Sequence, residues 1–179
     1  LFLGIAYSNL NLHQEAIPHL RNVLQIDSLN FDAWTQLGIA YDHLHYSDSS
    51  DSAYEHALQI NATSPLVNNN YAYSLSVRQT KLPQALTMAQ KAVQAQPHNP
   101  SYLDTFAWVH FQLGDYSTAV EYLEKAVNTS EPSATILEHL GDTYSKLGNE
   151  LKAIEAYSNA LKKSPDRPSI KERLRKLSK

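Results

Sequence analysis

Eight histidines, 18 carboxylates and 11 tyrosines are the side chains in this 179-residue chain that could hold a metal or move a proton. Their spacing argues against both tasks. Two histidines share an ion on one helix face when they stand four residues apart, and no pair does so here. His43 and His45 are two apart, which points them to different sides of a helix. Cysteine is absent, which removes disulfides, thiolate metal sites and a thiol nucleophile. There is no G-x-S-x-G elbow and no H-E-x-x-H zinc helix. The sequons Asn61-Ala-Thr and Asn128-Thr-Ser read as chance matches. No catalytic residue, metal or cofactor is therefore expected. What remains is chemistry of contact: scattered carboxylates, amides and a few large rings, whose value depends on the elements that bring them together.

Bulk composition agrees. The chain is 42% hydrophobic, enough to bury a sizeable core, and with 5 Gly and 8 Pro it is neither loop-rich nor disordered. No run of 18 or more apolar residues exists to span a membrane, and no signal or lipidation motif is visible. The net charge of −3 lacks the basic excess of a nucleic-acid binder, so no nucleic acid is expected as a partner.

The elements come from an internal repeat. Gly4, Gly38, Ala72, Ala107 and Gly141 stand 34, 34, 35 and 34 residues apart. A second ladder, Val23, Ala57, Ala92, Ala126 and Ala160, repeats the same gaps, with the single extra residue again in the third repeat. The insertion must therefore fall between Ala72 and Ala92, and the turn around residues 79–81 is its natural place. Small residues at fixed points allow two helices of a hairpin to approach closely. Gly114 and Gly148 follow a first helix, where a left-handed cap is wanted. Pro97 and Pro165 fall after a second helix, while Pro65, Pro100 and Pro132 open a first helix or sit just ahead of one. Pro18 is placed near the first turn of its helix.

Trp34, Leu37-Gly38, Tyr41, Tyr54 and Ala57-Leu58 resemble the tetratricopeptide (TPR) signature. Leu140-Gly141, Tyr144, Gly148, Ala153, Tyr157, Ala160-Leu161 and Pro165 repeat it almost completely, and Leu3-Gly4 with Tyr7 and Ala16 is a shortened first copy. The third and fourth copies depart from it, with Tyr71-Ala72 and Phe106-Ala107 in place of Leu-Gly. The resemblance implies an all-α protein, a right-handed α-solenoid of about five helix-turn-helix hairpins over residues 1–30, 31–64, 65–99, 100–133 and 134–166. First helices are expected near 1–10, 31–44, 65–79, 100–113 and 134–147, and second helices near 14–27, 51–61, 83–96, 116–129 and 150–163. The second helix of the second repeat should start late and fray, because Ser50 replaces a small Ala within the hydrophilic stretch 47–52. Residues 167–179 are expected to add a capping helix, with Ile170, Leu174 and Leu177 on one stripe.

In such a solenoid the first helices line a concave groove, and their unpacked stripe faces it. The candidate peptide-binding residues are Asp32, Gln36, Asp42, Asn69, Asn70, Tyr73, Asp104, Trp108, Phe111, Glu138 and Asp142. Five are acidic and three are aromatic, so the expected partner is a protein or peptide segment with apolar anchors and some Lys or Arg. Two alternatives stand beside that reading: Trp108 as a core wedge, and the acids as a solvated face. TPR domains that clamp a C-terminal carboxylate use Lys, Arg and Asn, and among the matching places only Asn69 has a suitable side chain.

A narrower resemblance covers Leu66 to the end. Asn69-Asn70-Tyr71-Ala72-Tyr73, Tyr102 to Val109 and Glu138 to Asp142 look like the tail of large bacterial TPR lipoproteins of the cell envelope. That resemblance implies a non-enzymatic scaffold or adaptor for a protease or assembly machine. It also implies a periplasmic or outer-membrane setting reached through an N-terminal region that precedes Leu1. An apolar face around Leu1, Phe2 and Ile5 is expected to favour self-association.

Overall fold

In the computed structural model, residues 1–129 and 131–177 are described, and among them the chain forms eleven α-helices and no strand. The chain divides into two compact units, Leu1–Ser74 and Leu75–Lys179.

In the first unit α1 (Phe2–Asn9) packs on α2 (His13–Ile26), α2 on α3 (Phe31–His43), and α3 on α4 (Ser47–Ile60). Ala16, Leu20, Leu37, Tyr41 and Ala53 form the core, with Trp34 and Tyr7 packed against it. The helix α5 (Pro65–Val77) begins in this unit, where Tyr71 stacks on Tyr54 at 5.3 Å between ring centroids. Asn30 starts α3 by accepting a hydrogen bond from the Ala33 amide at 3.0 Å, which satisfies one of the orphan donors of a helix N-terminus. On α1, Phe2 is 88% exposed, while Leu1 and Ile5 are half-buried.

Two details differ from the sequence expectation. The helix α4 starts at Ser47 and not late, and Ser50 is buried with its hydroxyl donating to the Gly38 carbonyl at 3.1 Å. A serine thus does the work of the usual Ala and adds a bond to the facing helix. Pro18 lies in the second turn of α2, not the first. Its missing N–H leaves the Gln14 carbonyl without a helical donor, and both residues are exposed, so water can take that place.

The second unit holds α6 (Leu82–Ala95), α7 (Pro100–Gln112), α8 (Tyr116–Thr129), α9 (Ala134–Lys146), α10 (Glu150–Lys163) and α11 (Pro168–Leu177). Successive helices from α6 to α11 pack on one another, and α7 also packs on α9. Leu103, Ala107, Leu123, Leu140, Tyr157 and Ile170 belong to one buried cluster, with Leu174 and Leu177 of α11 packed against it. Residues 178 and 179 of the expected capping helix, and Ser130 of the second sequon, lie outside the described residues.

The turns inside the hairpins hold three residues, except that 78–81 between α5 and α6 holds four. The extra residue of the ladders is there. Each turn has a left-handed residue: Asn11, His45, Gln79, Gly114 (φ 82°) and Gly148 (φ 74°), with Lys81 left-handed as well in the longer turn. Only the two glycines were legible as such.

Asp115 caps α8. Its carboxylate accepts the Thr118 amide at 3.1 Å and the Ser117 hydroxyl at 2.8 Å, and the His110 ring lies 3.0 Å away. The Thr118 and Ser117 hydrogen bonds hold its pKa well below the usual carboxylate range. Asp115→Ala is expected to cost about 1 kcal/mol in a urea melt. Because the folded-state pKa is depressed, this contribution is complete above the unfolded value of 3.8 and fades as pH falls below it. The difference between wild type and Asp115→Ala should therefore narrow on acidification; a constant difference down to pH 2 would show that the charge is not involved.

Candidate functional site

The candidate residues of the first unit are Asp32, Gln36, Asp42, Asn69, Asn70 and Tyr73. Asp32 is exposed at the start of α3, and Gln36, Asp42, Asn70 and Tyr73 are half-buried. Asn69 is not on offer in the same way. It is buried at 7% exposure, with its amide donating to the Asn70 side chain at 3.2 Å and its own Oδ1 unbonded. Asp42 accepts a hydrogen bond from the buried Ser74 hydroxyl.

Asp104, Trp108, Phe111, Glu138 and Asp142 all lie in the second unit. Trp108 and Phe111, three apart on α7, stack nearly parallel with centroids 4.5 Å apart. Trp108 also stacks on the His139 ring from α9, at 3.9 Å. His139 is buried and its Nδ1 lies 2.8 Å from the buried Asp104 carboxylate. Asp104 thus fixes the imidazole, the imidazole supports Trp108, and Trp108 supports Phe111. Trp108 is half-buried, neither sealed in the core nor fully exposed. Trp108 and Phe111 border an open pocket of about 360 Å³, completed by Gln79, Gln112, Asp142, Ser145, Lys146, Tyr157 and Arg173.

Glu138 and Asp142 are engaged from α11 and the segment before it. Arg167 donates to Glu138 at 2.5 Å and to the Thr135 hydroxyl at 3.0 Å. Arg173 donates to Glu138 at 2.8 Å and to Asp142 at 2.9 Å. Asp142 also accepts the Tyr157 hydroxyl at 2.6 Å. Burial raises the Asp142 pKa in spite of these donors, and burial together with the Asp142 bond raises that of Tyr157.

A rule joins these bonds. Asp42, Asp104 and Asp142, each on a first helix, bond to Ser74, His139 and Arg173, which lie 32, 35 and 31 residues further on. The stripe read from the sequence as an acid surface for a basic partner is thus largely spent on the protein's own donors. A groove stripe on a helical wheel is also the stripe that meets the next repeat, and which of the two wins depends on the residue found there.

Two features escaped the sequence reading. His13 of α2 and His43 of α3 stack at 4.2 Å and 6°, although 30 positions apart. Parallel imidazoles do not converge their lone pairs on one ion, and among the described residues no group of three or more His, Asp and Glu could hold a metal. The first unit also has an open hollow of about 660 Å³ between α2 and α4 over α3, lined by Arg21, Trp34, Tyr41 and Asp48 among others. Arg21 donates to the Tyr41 hydroxyl there at 2.9 Å. The small residues of 47–52 were its only signal, since they leave that side of α4 thin.

Residues 14–137 match the model of the cytochrome c-type biogenesis protein H TPR domain, and residues 134–167 match that of the tetratricopeptide repeat. The chain belongs to the tetratricopeptide repeat family. Over 74 residues, 41% of its length, this TPR chain is 30% identical to a TPR repeat-containing protein of Pseudomonas aeruginosa, of which it spans 12%. Among solved structures it resembles Pseudomonas aeruginosa pilF, with a TM-score of 0.79 and 21% identity over 94% of this chain and 76% of that one. It also resembles the APC/C hetero-tetramer Cut9–Hcn1, with a TM-score of 0.88 and 20% identity over 98% of this chain and 35% of that one. These likenesses show an all-α fold of the TPR solenoid class. TPR arrays generally act as protein-interaction scaffolds, and among the described residues of this one no helix is long and apolar enough to cross a membrane.

Proposed function

We propose that this TPR chain binds a protein or peptide segment, and that its contact surface in the second unit centres on Trp108 and Phe111. One observation carries the reading: the two rings are stacked and half-buried at the mouth of a pocket whose rim is polar. Large rings at the centre of a surface that excludes water are what interface hot spots are made of. The ring pair is also held from behind by His139 on Asp104, so little side-chain entropy is lost on binding. In the first unit, Asp32 is exposed and Gln36, Asn70 and Tyr73 are half-buried, so part of each side chain can meet a partner.

Trp108→Ala is expected to cost about 2 kcal/mol or more of partner affinity, roughly 30-fold, with helicity retained. The test is quantitative capture from a native extract by the wild-type chain and by Trp108→Ala and Phe111→Ala, alongside circular dichroism. Partners retained equally by both variants would sink the reading; unfolding of Trp108→Ala would assign the ring to the core.

A second reading, that the repeat array is an adaptor arm presenting proteins to a protease or assembly machine of the bacterial envelope, rests on the resemblance of Leu66 onward to bacterial envelope TPR lipoproteins; the likeness to a Pseudomonas aeruginosa TPR protein, of which the chain spans 12%, supports only that such arrays occur as part of longer proteins. It predicts that captured proteins include a protease or assembly component together with its client. Capture of single partners alone would count against it.

A further inference from the structure

We infer that the segment received by the Trp108–Phe111 pocket is acidic, pairing an aromatic or branched apolar side chain with a neighbouring carboxylate. This rests on the reading of those two rings as contact residues and reverses the sign of charge that the acid stripe suggested.

Two charge relationships carry the inference. The pocket holds one carboxylate, Asp142, and two cations, Lys146 and Arg173. Asp142 is committed twice, to Arg173 and to Tyr157. Glu138, next to it on α9, is committed to Arg167 and Arg173. These four charged groups balance, two against two. Lys146 is exposed and has no ion pair or hydrogen bond among the described residues, so its ammonium is the uncompensated charge of the site. A basic side chain entering here would meet Lys146 and find both acids occupied. A carboxylate would meet a free cation, with the amides of Gln79 and Gln112 as further donors.

The surroundings have the same sign. Residues 146–179 carry ten of the 15 Lys and Arg but only four of the 18 Asp and Glu. The chain's net charge of −3 hides this asymmetry. Its last fifth carries a net positive charge, and the residues before it sum to a net negative one. Such a field draws an acidic segment toward the pocket and raises its rate of encounter.

The two recognition elements are also close enough for one short segment. Trp108, Phe111 and Lys146 line the same pocket, so a side chain laid on the rings and a carboxylate one or two residues away reach it together.

The experiment pans a random 12-residue peptide display library against the full chain, with counter-selection on Trp108→Ala. Enriched, Trp108-dependent peptides are expected to share an aromatic or branched residue beside Asp or Glu. Lys146→Glu, a substitution at an exposed helix end, is then expected to weaken the best of them roughly tenfold at low ionic strength. That loss should shrink near 1 M salt, where screening acts within about 3 Å. Enrichment of Lys- and Arg-rich peptides that depend on Trp108 would overturn the acidic partner and leave the pocket standing. If no Trp108-dependent peptide is enriched, both the inference and the reading beneath it fail. A Lys146→Glu variant that binds the acidic peptides as well as wild type would refute the pairing of charge.

Discussion

Gly141→Ala is expected to destabilise the protein by about 2 kcal/mol, and in a Tyr157→Leu background the same change is expected to stabilise it by about 1 kcal/mol. A Cβ at position 141 would stand 2.5 Å from Tyr157 Cε1, 2.6 Å from Cδ1 and 3.0 Å from Cγ. No carbon pair tolerates the first two distances. The ring cannot step aside cheaply, because Tyr157 is 2% exposed and its hydroxyl is bonded to Asp142 at 2.6 Å. Against the clash stands the helix propensity of Ala, which exceeds that of Gly by about 1 kcal/mol. Three ring atoms near the root of a fixed side chain outweigh that gain. The hairpin of α7 and α8 shows the alternative solution. There Ala107 and Leu123 are both fully buried and, like Gly141 and Tyr157, stand 16 positions apart. Gly facing Tyr and Ala facing Leu are two ways to fill one gap. A double-mutant cycle by urea denaturation should therefore show a coupling of about 3 kcal/mol between positions 141 and 157. Effects that add within about 0.5 kcal/mol would mean that the ring relaxes freely.

That size rule also explains how much could be read in one dimension. The spacing of Gly4, Gly38 and Gly141 fixes where helices touch, because close approach needs a small residue and nothing else does its job. The position of the inserted residue followed from the ladders by the same reasoning, and the four-residue turn 78–81 is where they put it. The limits were set by partners distant in sequence. Ser50 looked like a weak helix start until its bond to the Gly38 carbonyl was visible. The fates of Asp42, Asp104 and Asp142 depend on Ser74, His139 and Arg173, a full repeat further on. A helical wheel shows which side of a helix a carboxylate occupies, but not whether the next helix supplies it with a donor. For the same reason nothing in one dimension showed that Lys146, at the end of α9, has no ion pair among the described residues.

Ile170→Ala is expected to release α11, and this decides what holds that helix and what the pocket carries. Ile170 is fully buried in the cluster of the second unit, and truncating such a side chain costs about 2–5 kcal/mol. The competing account is ionic: Arg173 bridges Glu138 and Asp142, and Arg167 binds Glu138. Both arginines keep 27–38% of their side chains exposed, so each link is worth about 1 kcal/mol or less. Apolar burial should therefore dominate. A ten-residue helix is marginal on its own in water, so once undocked it should melt. In a repeat array each element depends on its neighbours, so the loss should stay near the end of the chain. Hydrogen exchange at residues 171–177 is expected to accelerate roughly 30-fold or more in Ile170→Ala, with α7 and α8 little changed. Arg173→Met should accelerate it less than tenfold. The reverse order would mean that the ionic links carry α11. Undocking has a second consequence, because Arg167 and Arg173 leave with the helix. Glu138 and Asp142 then lose their arginine partners, Asp142 keeping the Tyr157 hydroxyl, and the charges at and beside the Trp108–Phe111 pocket change from one surplus cation to one surplus anion. Ile170→Ala should thus lose acidic peptides far more than Arg173→Met does, although Ile170 itself does not line the pocket.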